Sequence, residues 1–199
     1  MPNWPQHGDS LFASGLDWEA EAKLGESWHP LLAYAMGYKE AADTVVEAVI
    51  AKKCPPDSVG YAVCFLYRHF IELMLKGLIN LGTMLEERRE DYPRDHSIYA
   101  LWTKCRPLLE LAFPNGEKVD TDAVENCIRE MATLDPSGEA FRYAEDKKGR
   151  PTLRQPVQLD LANMRDVMDR MSGFLGGSYD ALDELVQLQA DIDADNLSD

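Results

Sequence analysis

Residues 59–81, VGYAVCFLYRHFIELMLKGLINL, are apolar nearly all the way round a helix, interrupted by one polar stripe of Arg68, His69, Glu72 and Lys76. A helix apolar on almost every face needs neighbours on almost every side, so this stretch predicts the central helix of a bundle. Residues four apart share a helix face, which makes Arg68–Glu72 and Glu72–Lys76 neighbour pairs and gives a plus, minus, plus ladder. His69 stands about 100° round from Arg68 and three residues before Glu72, within reach of the same network. The 23 residues are long enough for a membrane span. Four ionisable groups in the middle, each costing about 2.5–3.5 kcal/mol at a bilayer centre on the scale for Arg, Lys or Asp, exclude that unless protein sequesters them. Two structural readings of the stripe remain: a solvent face, or a buried network that fixes helix register.

A chain of 199 residues, 45% hydrophobic and 28% charged, can bury roughly 70% of its unfolded surface and needs no disulfide or metal to hold it together. The polar, acidic first 29 residues carry no secretion signal, and a cytoplasmic protein is expected. Cysteines 54, 64, 105 and 127 show no Cys-x-x-Cys spacing, which predicts reduced, mostly buried thiols. The net charge of -15 is concentrated at the ends, -4 over residues 1–29 and -7 over residues 180–199. That balance argues against broad, nonspecific nucleic-acid binding, which depends on a basic surface. One local exception stands out: residues 142–154 hold Arg142, Lys147, Lys148, Arg150 and Arg154 against Glu145 and Asp146, a balance of +3.

The pattern along the chain predicts an all-α fold, a bundle of five to six helices with a small β-hairpin or flap near 141–154. Residues 1–26 read as an irregular arm, 27–190 as a single helical-bundle domain and 191–199 as an acidic, fraying tail. The first helix is expected from His29 or Pro30 to Lys53 with Ser27 as its cap, and the second from Asp57 or Ser58 to a stop at Gly82. A third is expected over 97–112 with Asp95 as cap and Pro107 as a kink or early end, and a fourth over 121–134 behind Asp120. The last should begin near Asp160 and break or bend at Gly176-Gly177. In the flap, alternation places Phe141 and Tyr143 on one face and Arg142 on the other.

Candidate chemistry begins with metals. Glu26-Ser27-Trp28-His29 matches the Glu-x-x-His motif of di-iron bundles once, at a helix start and with no second copy, while His69 to Glu72 runs in the reverse order. No metal and no cofactor are expected. No Gly-rich phosphate loop follows a strand, and no Ser or Cys nucleophile can be picked out by spacing.

Glu72-Leu73-Met74-Leu75-Lys76-Gly77-Leu78-Ile79, a charged connection, and then Asp95-His96-Ser97-Ile98-Tyr99-Ala100-Leu101 resemble the HEPN superfamily, helical bundles in which a Glu-x-x-x-Lys helix precedes a His-x-Ile/Leu-x-x-Leu helix start. Phe141-Arg142-Tyr143 with Asp146 and Gly149 is similar to a loop that such proteins carry after their penultimate helices, so the resemblance covers about residues 30–175. It implies binding of RNA or a nucleotide at the polar centre, in a defence or toxin–antitoxin setting and often as a dimer. Many members are metal-independent ribonucleases; others are noncatalytic. Ribonucleolytic members pair an Arg with a His four to six residues later, because cleavage needs a base for the ribose 2′-hydroxyl and a cation for the phosphorane charge. This chain has no histidine beyond position 96, and its formal match is Arg89 with His96. Cleavage is therefore left open.

The candidate site pools His96, Arg68 and His69 as catalytic groups with Glu72, Lys76, Arg142, Tyr143 and Lys147 as substrate-binding groups. A rival from another class is a noncatalytic interaction or antitoxin-like subunit that meets a protein partner through its acidic C-terminus. The apolar stripe of the first helix and Met164, Met168 and Met171 of the last are compatible with a homodimer face as well as with plain core.

Overall fold

The computed structural model describes residues 4–12, 18–87, 92–114, 116 and 118–196. The fold is all-α, with helices α1 (Pro30–Ile50), α2 (Pro56–Glu87), α3 (Ile98–Ala112), α4 (Lys118–Leu134) and α5 (Leu161–Asn196). The chain divides into two units, Met1–Pro30 and Leu31–Asp199. The first holds one 3-10 turn, Trp18–Ala20, and otherwise irregular backbone among its described residues. The Ser27 hydroxyl accepts from the His29 N–H at 3.2 Å there, just ahead of α1.

In the second unit α2 is the central element, packed against both α3 and α5, and α4 packs on α3. Its Val63, Tyr67, Phe70, Ile71, Met74, Leu75 and Leu78 are buried together with Leu101 and Trp102 of α3 and Leu175 and Leu182 of α5. Each such large apolar side chain contributes about 1.5–3 kcal/mol when fully withdrawn from water. Two glycines set the approach of the flanking helices. A Cβ at Gly77 would meet the Tyr179 ring at 2.9 Å, and one at Gly82 would meet Leu108 at 2.9 Å. Gly82 therefore admits α3 rather than stopping α2, which runs five residues further.

α5 likewise differs from expectation and passes through Gly176-Gly177 without a break. The two glycines cost helix propensity, about 1 kcal/mol each. Burial of Leu175, Tyr179 and Leu182 on either side of them holds the helix together. It continues over the acidic residues 191–196. Its start matches the pattern, since the Asp160 carboxylate accepts from the Ala162 and Asn163 N–H groups. At α3 the cap is Ser97, whose hydroxyl accepts from the Ala100 N–H, and Asp95 instead accepts from the Ser97 N–H. Pro107 lies inside α3 without ending it. α1 stops at Ile50, short of Lys53, and α4 begins three residues before Thr121.

The flap over 141–154 is a turn closed by a single antiparallel bridge, Glu145 to Pro151, and the described residues contain no strand. Pro151 has no N–H with which to extend a ladder. The Asp146 carboxylate fastens the turn instead, accepting from the Lys148 and Arg150 N–H groups and from the Arg150 guanidinium. Residues 139–143 form a second turn, with the Arg142 and Tyr143 N–H groups both donating to the Glu139 carbonyl. Phe141 is accordingly buried while Arg142 and Tyr143 are both exposed, which replaces the expected strand-like alternation.

All four cysteines are free thiols, Cys64 and Cys105 fully buried. Among the described residues no helix is long and apolar enough to cross a membrane.

Candidate functional site

The polar stripe of α2 is buried. Arg68 and Glu72 are each 2% exposed and Lys76 is 7% exposed, so the solvent-face reading gives way to a network inside the bundle. The helical ladder forms as the spacing predicts: Arg68 Nη1 donates to Glu72 Oε2 at 3.1 Å and Lys76 Nζ to Glu72 Oε1 at 2.8 Å. Two groups from outside α2 complete it. Asp135, fully buried just past the end of α4, brings its Oδ2 to 3.2 Å from Arg68 Nε as an ion contact without hydrogen-bond geometry. Nε donates instead to the Asp135 carbonyl at 3.3 Å, and Asp135 Oδ1 accepts from the Ala140 N–H. The backbone of His96, two residues before α3, accepts from Arg68 Nη2 at 2.7 Å.

Arg68 thus serves three elements at once. Its guanidinium also sets the path of the chain after α4, because Gly138 lies against it with a φ of +79°. A Cβ on Gly138 would stand 2.9 Å from Arg68 Nη1. Every nitrogen of the Arg68 guanidinium is engaged within the bundle.

His96 is the exposed member of the centre. Its Nδ1 lies 2.8 Å from Glu72 Oε1, yet 68% of the side chain faces solvent. Burial works to raise the Glu72 carboxyl, but hydrogen bonds from Lys76 and His96, with their charges, outweigh it and hold the group below its ordinary 4.5. An ionised Glu72 assigns the proton of a neutral His96 to Nδ1 and leaves the Nε2 lone pair outward, where it has no partner among the described residues. A buried carboxylate behind an exposed imidazole is the arrangement that orients a general base.

His69 takes a different place. Its ring stacks on Phe65 at 5.5 Å between centroids and meets Tyr38 edge-on at 4.6 Å, with no hydrogen bond to Glu72. Burial lowers its basicity, Glu72 raises it, and the positive charges of Lys76, Arg68 and Arg142 lower it, leaving a net shift below 6.5. His69 is a neutral packing group at neutral pH.

Arg142 reaches back toward the centre: Nε donates to the Gly138 carbonyl at 2.6 Å, and the guanidinium lies 5.8 Å from the Phe65 ring centroid and 5.2 Å from that of Tyr143. Tyr143 and Lys147 are exposed on the flap. Arg89, the formal partner of His96 in the spacing motif, lies outside the described residues.

Two further polar groupings carry no signal in the stripe. Lys39 of α1 is buried between Asp43 and Asp169 at 2.6 Å each, and the Tyr67 hydroxyl donates to Asp43, tying α1 to α2 and α5. Glu125 of α4 gathers Trp102, Arg106 and Arg129 at the α3–α4 contact. Lys39 and Asp43 are legible as a helical pair; Asp169, 130 residues from Lys39, is not. Among the described residues no three His, Cys, Asp or Glu side chains converge as a metal site needs. No protein-family model matches the chain, and neither does any curated protein or solved structure.

Proposed function

We propose that the chain is a HEPN-like helical protein that binds RNA at the junction of α2 with the start of α3, and that His96 is the group that meets the ribose. The observation that carries this reading is the Glu72–His96 pair, 2.8 Å apart with the carboxylate buried and the imidazole exposed. In that role Nε2 accepts the 2′-hydroxyl proton while O2′ attacks the adjacent phosphorus, and the departing O5′ takes a proton from water. The products are a 2′,3′-cyclic phosphate and a 5′-hydroxyl end. Arg68 and Lys76 act by holding Glu72 ionised and in place. A defence or toxin–antitoxin setting rests on the resemblance.

The test is incubation of the purified protein with a mixed RNA pool in EDTA beside a His96→Ala variant. Cleavage by the wild type that leaves cyclic phosphate ends and disappears in the equally folded variant supports the reading. A wild type that neither retains nor cleaves RNA overturns it.

A second reading has its own observation. Leu188 and Ile192, one turn apart on the acidic end of α5, are 56% and 47% exposed, a stripe suited to a basic protein partner. Removal of residues 187–199, beyond the buried Leu182, tests it: partner capture lost with the segment supports a noncatalytic interaction role, and unchanged capture argues against one.

A further inference from the structure

A cleft of about 700 Å³ opens between the N-terminal part of α2 and the flap, lined by Tyr61, Phe141, Arg142, Tyr143 and Arg154. Its volume is that of an ordinary ligand site. Single exposed tyrosines are unremarked on any surface, but here two, Tyr61 at 56% and Tyr143 at 54%, border one cleft together with two arginines.

The arginines are available. Arg142 is aimed by its Nε bond to the Gly138 carbonyl, and its guanidinium lies beside the Tyr143 and Phe65 rings with no hydrogen bond from Nη1 or Nη2 among the described residues. Arg154 has no carboxylate partner among them either, whereas Arg150 is consumed by a two-pronged pair with Asp146 at 2.8 and 2.6 Å that locks the turn. The local balance of +3 over residues 142–154 therefore sits on Arg142, Lys147, Lys148 and Arg154, an isolated basic island on a chain of net charge -15. The cleft is tied to the centre through packed residues. Gly138, which anchors Arg142, rests on the Arg68 guanidinium, and Arg68 holds the His96 backbone.

Building on the His96 reading, the geometry points to this cleft as a subsite for single-stranded RNA, with an unpaired base stacked on Tyr143 or Tyr61 and the adjoining phosphates met by Arg142 and Arg154. Aromatic rings beside arginines in a groove take bases by their faces and phosphates by charge, without reading sequence. A duplex hides its base faces and needs a broad basic surface, which a chain this acidic lacks. Contacts to two or three phosphates give a shallow salt dependence, a log–log slope of about -1.5 to -2 for a single strand.

The experiment is a fluorescence-anisotropy titration with a labelled six-nucleotide single-stranded RNA and with its duplex. The wild type is compared with Tyr143→Ala and Arg154→Glu, both at exposed positions, each checked for an unchanged unfolding midpoint. The expected result is binding of the single strand at least tenfold tighter than the duplex, weakened about tenfold by either substitution. Single-strand binding untouched by both variants, or a preference for the duplex, overturns the cleft assignment and leaves the His96 reading standing. Failure of the wild type to bind any RNA overturns both.

Discussion

Glu72 on α2 and Glu125 on α4 are surrounded by similar donors. Glu72 receives Arg68, Lys76 and His96; Glu125 receives Trp102 at 3.1 Å, Arg106 at 2.6 Å and Arg129. Both carboxyls are held below their ordinary 4.5, but by different routes. For Glu72 burial is the largest influence and opposes ionisation, so the donors must overcome it. For Glu125 the hydrogen bonds from Trp102 and Arg106 lead and burial is a lesser counterweight. The partners differ as well. Arg106 keeps Glu110 and Asp122 when Glu125 is lost, and Arg129 is 55% exposed. Among the described residues the carboxylate partners of Arg68 are Glu72 and Asp135, both shut away from water. Burial turns the same ion pairing from an option into an obligation.

The sharpest way to break that contrast is to remove one cation from each cluster. Arg68→Leu strands Glu72 and Asp135 without their shared counter-charge and should cost about 3–5 kcal/mol in denaturant unfolding. Arg106→Leu should lower stability far less, because solvent and Arg129 still serve Glu125. Equal losses would show that depth in the bundle does not separate the two. A charge reversal at Arg68 would for the same reason unfold the chain before it could report on any ligand. Next in size is Gly138→Ala, which forces a side chain into the left-handed region and against Arg68 Nη1. It should cost more than about 1 kcal/mol, against no measurable loss for Gly173→Ala on α5, where an added Cβ meets nothing within 4 Å. Similar midpoints for the two variants would mean that the chain after α4 can lift off Arg68 freely.

How much of this was readable beforehand differs residue by residue. The ladder of Arg68, Glu72 and Lys76 follows from helical spacing, and the apolar surroundings on every other face already announce that α2 lies inside. His96 and Glu72 share one candidate site in the sequence, but their direct contact is set by how the start of α3 packs on α2. Asp135 was invisible: it stands 67 positions from Arg68 beside an unremarkable helix end, and only the packing of α4 brings it there. His69 shows the limit of adjacency, since one step along a helix turns its ring toward Tyr38 and Phe65 rather than Glu72. Gly82 and Gly176-Gly177 look like helix stops in a sequence, but whether a glycine ends a helix depends on what its neighbours bury. The flap residues Arg142 and Tyr143 stand out in the sequence by charge and ring, while the turn at Glu139 that exposes both is a backbone event that alternation does not encode.

Acid separates the groups in a third way. His69 is shifted below 6.5, so the unfolded chain binds its proton first, and stability begins to fall once pH drops below that value. The depressed carboxyls act lower: their contribution is complete above about 4.5 and is lost as pH falls through their folded values. Unfolding midpoints taken from pH 7 to pH 3 should therefore show two regions of decline. His69→Phe, which keeps an aromatic ring between Tyr38 and Phe65, should flatten the upper region and leave the lower one. A decline that begins only below 4.5 in the wild type would remove His69 from the account.

Salt gives the smallest effect and the finest discrimination between the clusters. Raising ionic strength from about 0.1 to 1 M shortens the screening length from about 10 to 3 Å, but only for charges that mobile ions can approach. Arg129 meets that condition at 55% exposure, so the loss caused by Arg129→Ala should shrink toward zero over this range. The loss caused by Arg68→Leu should hold nearly constant, because no ion can enter between Arg68 and a Glu72 side chain that is 3% exposed. His96 lies between these limits, with its ring in water and its Nδ1 on the buried carboxylate. A double-mutant cycle between Glu72→Gln and His96→Ala should therefore keep most of its coupling in 1 M salt. If that coupling vanished with screening, the imidazole would be held by surface charge rather than by the buried carboxylate, and the orientation assigned to Nε2 would lose its support.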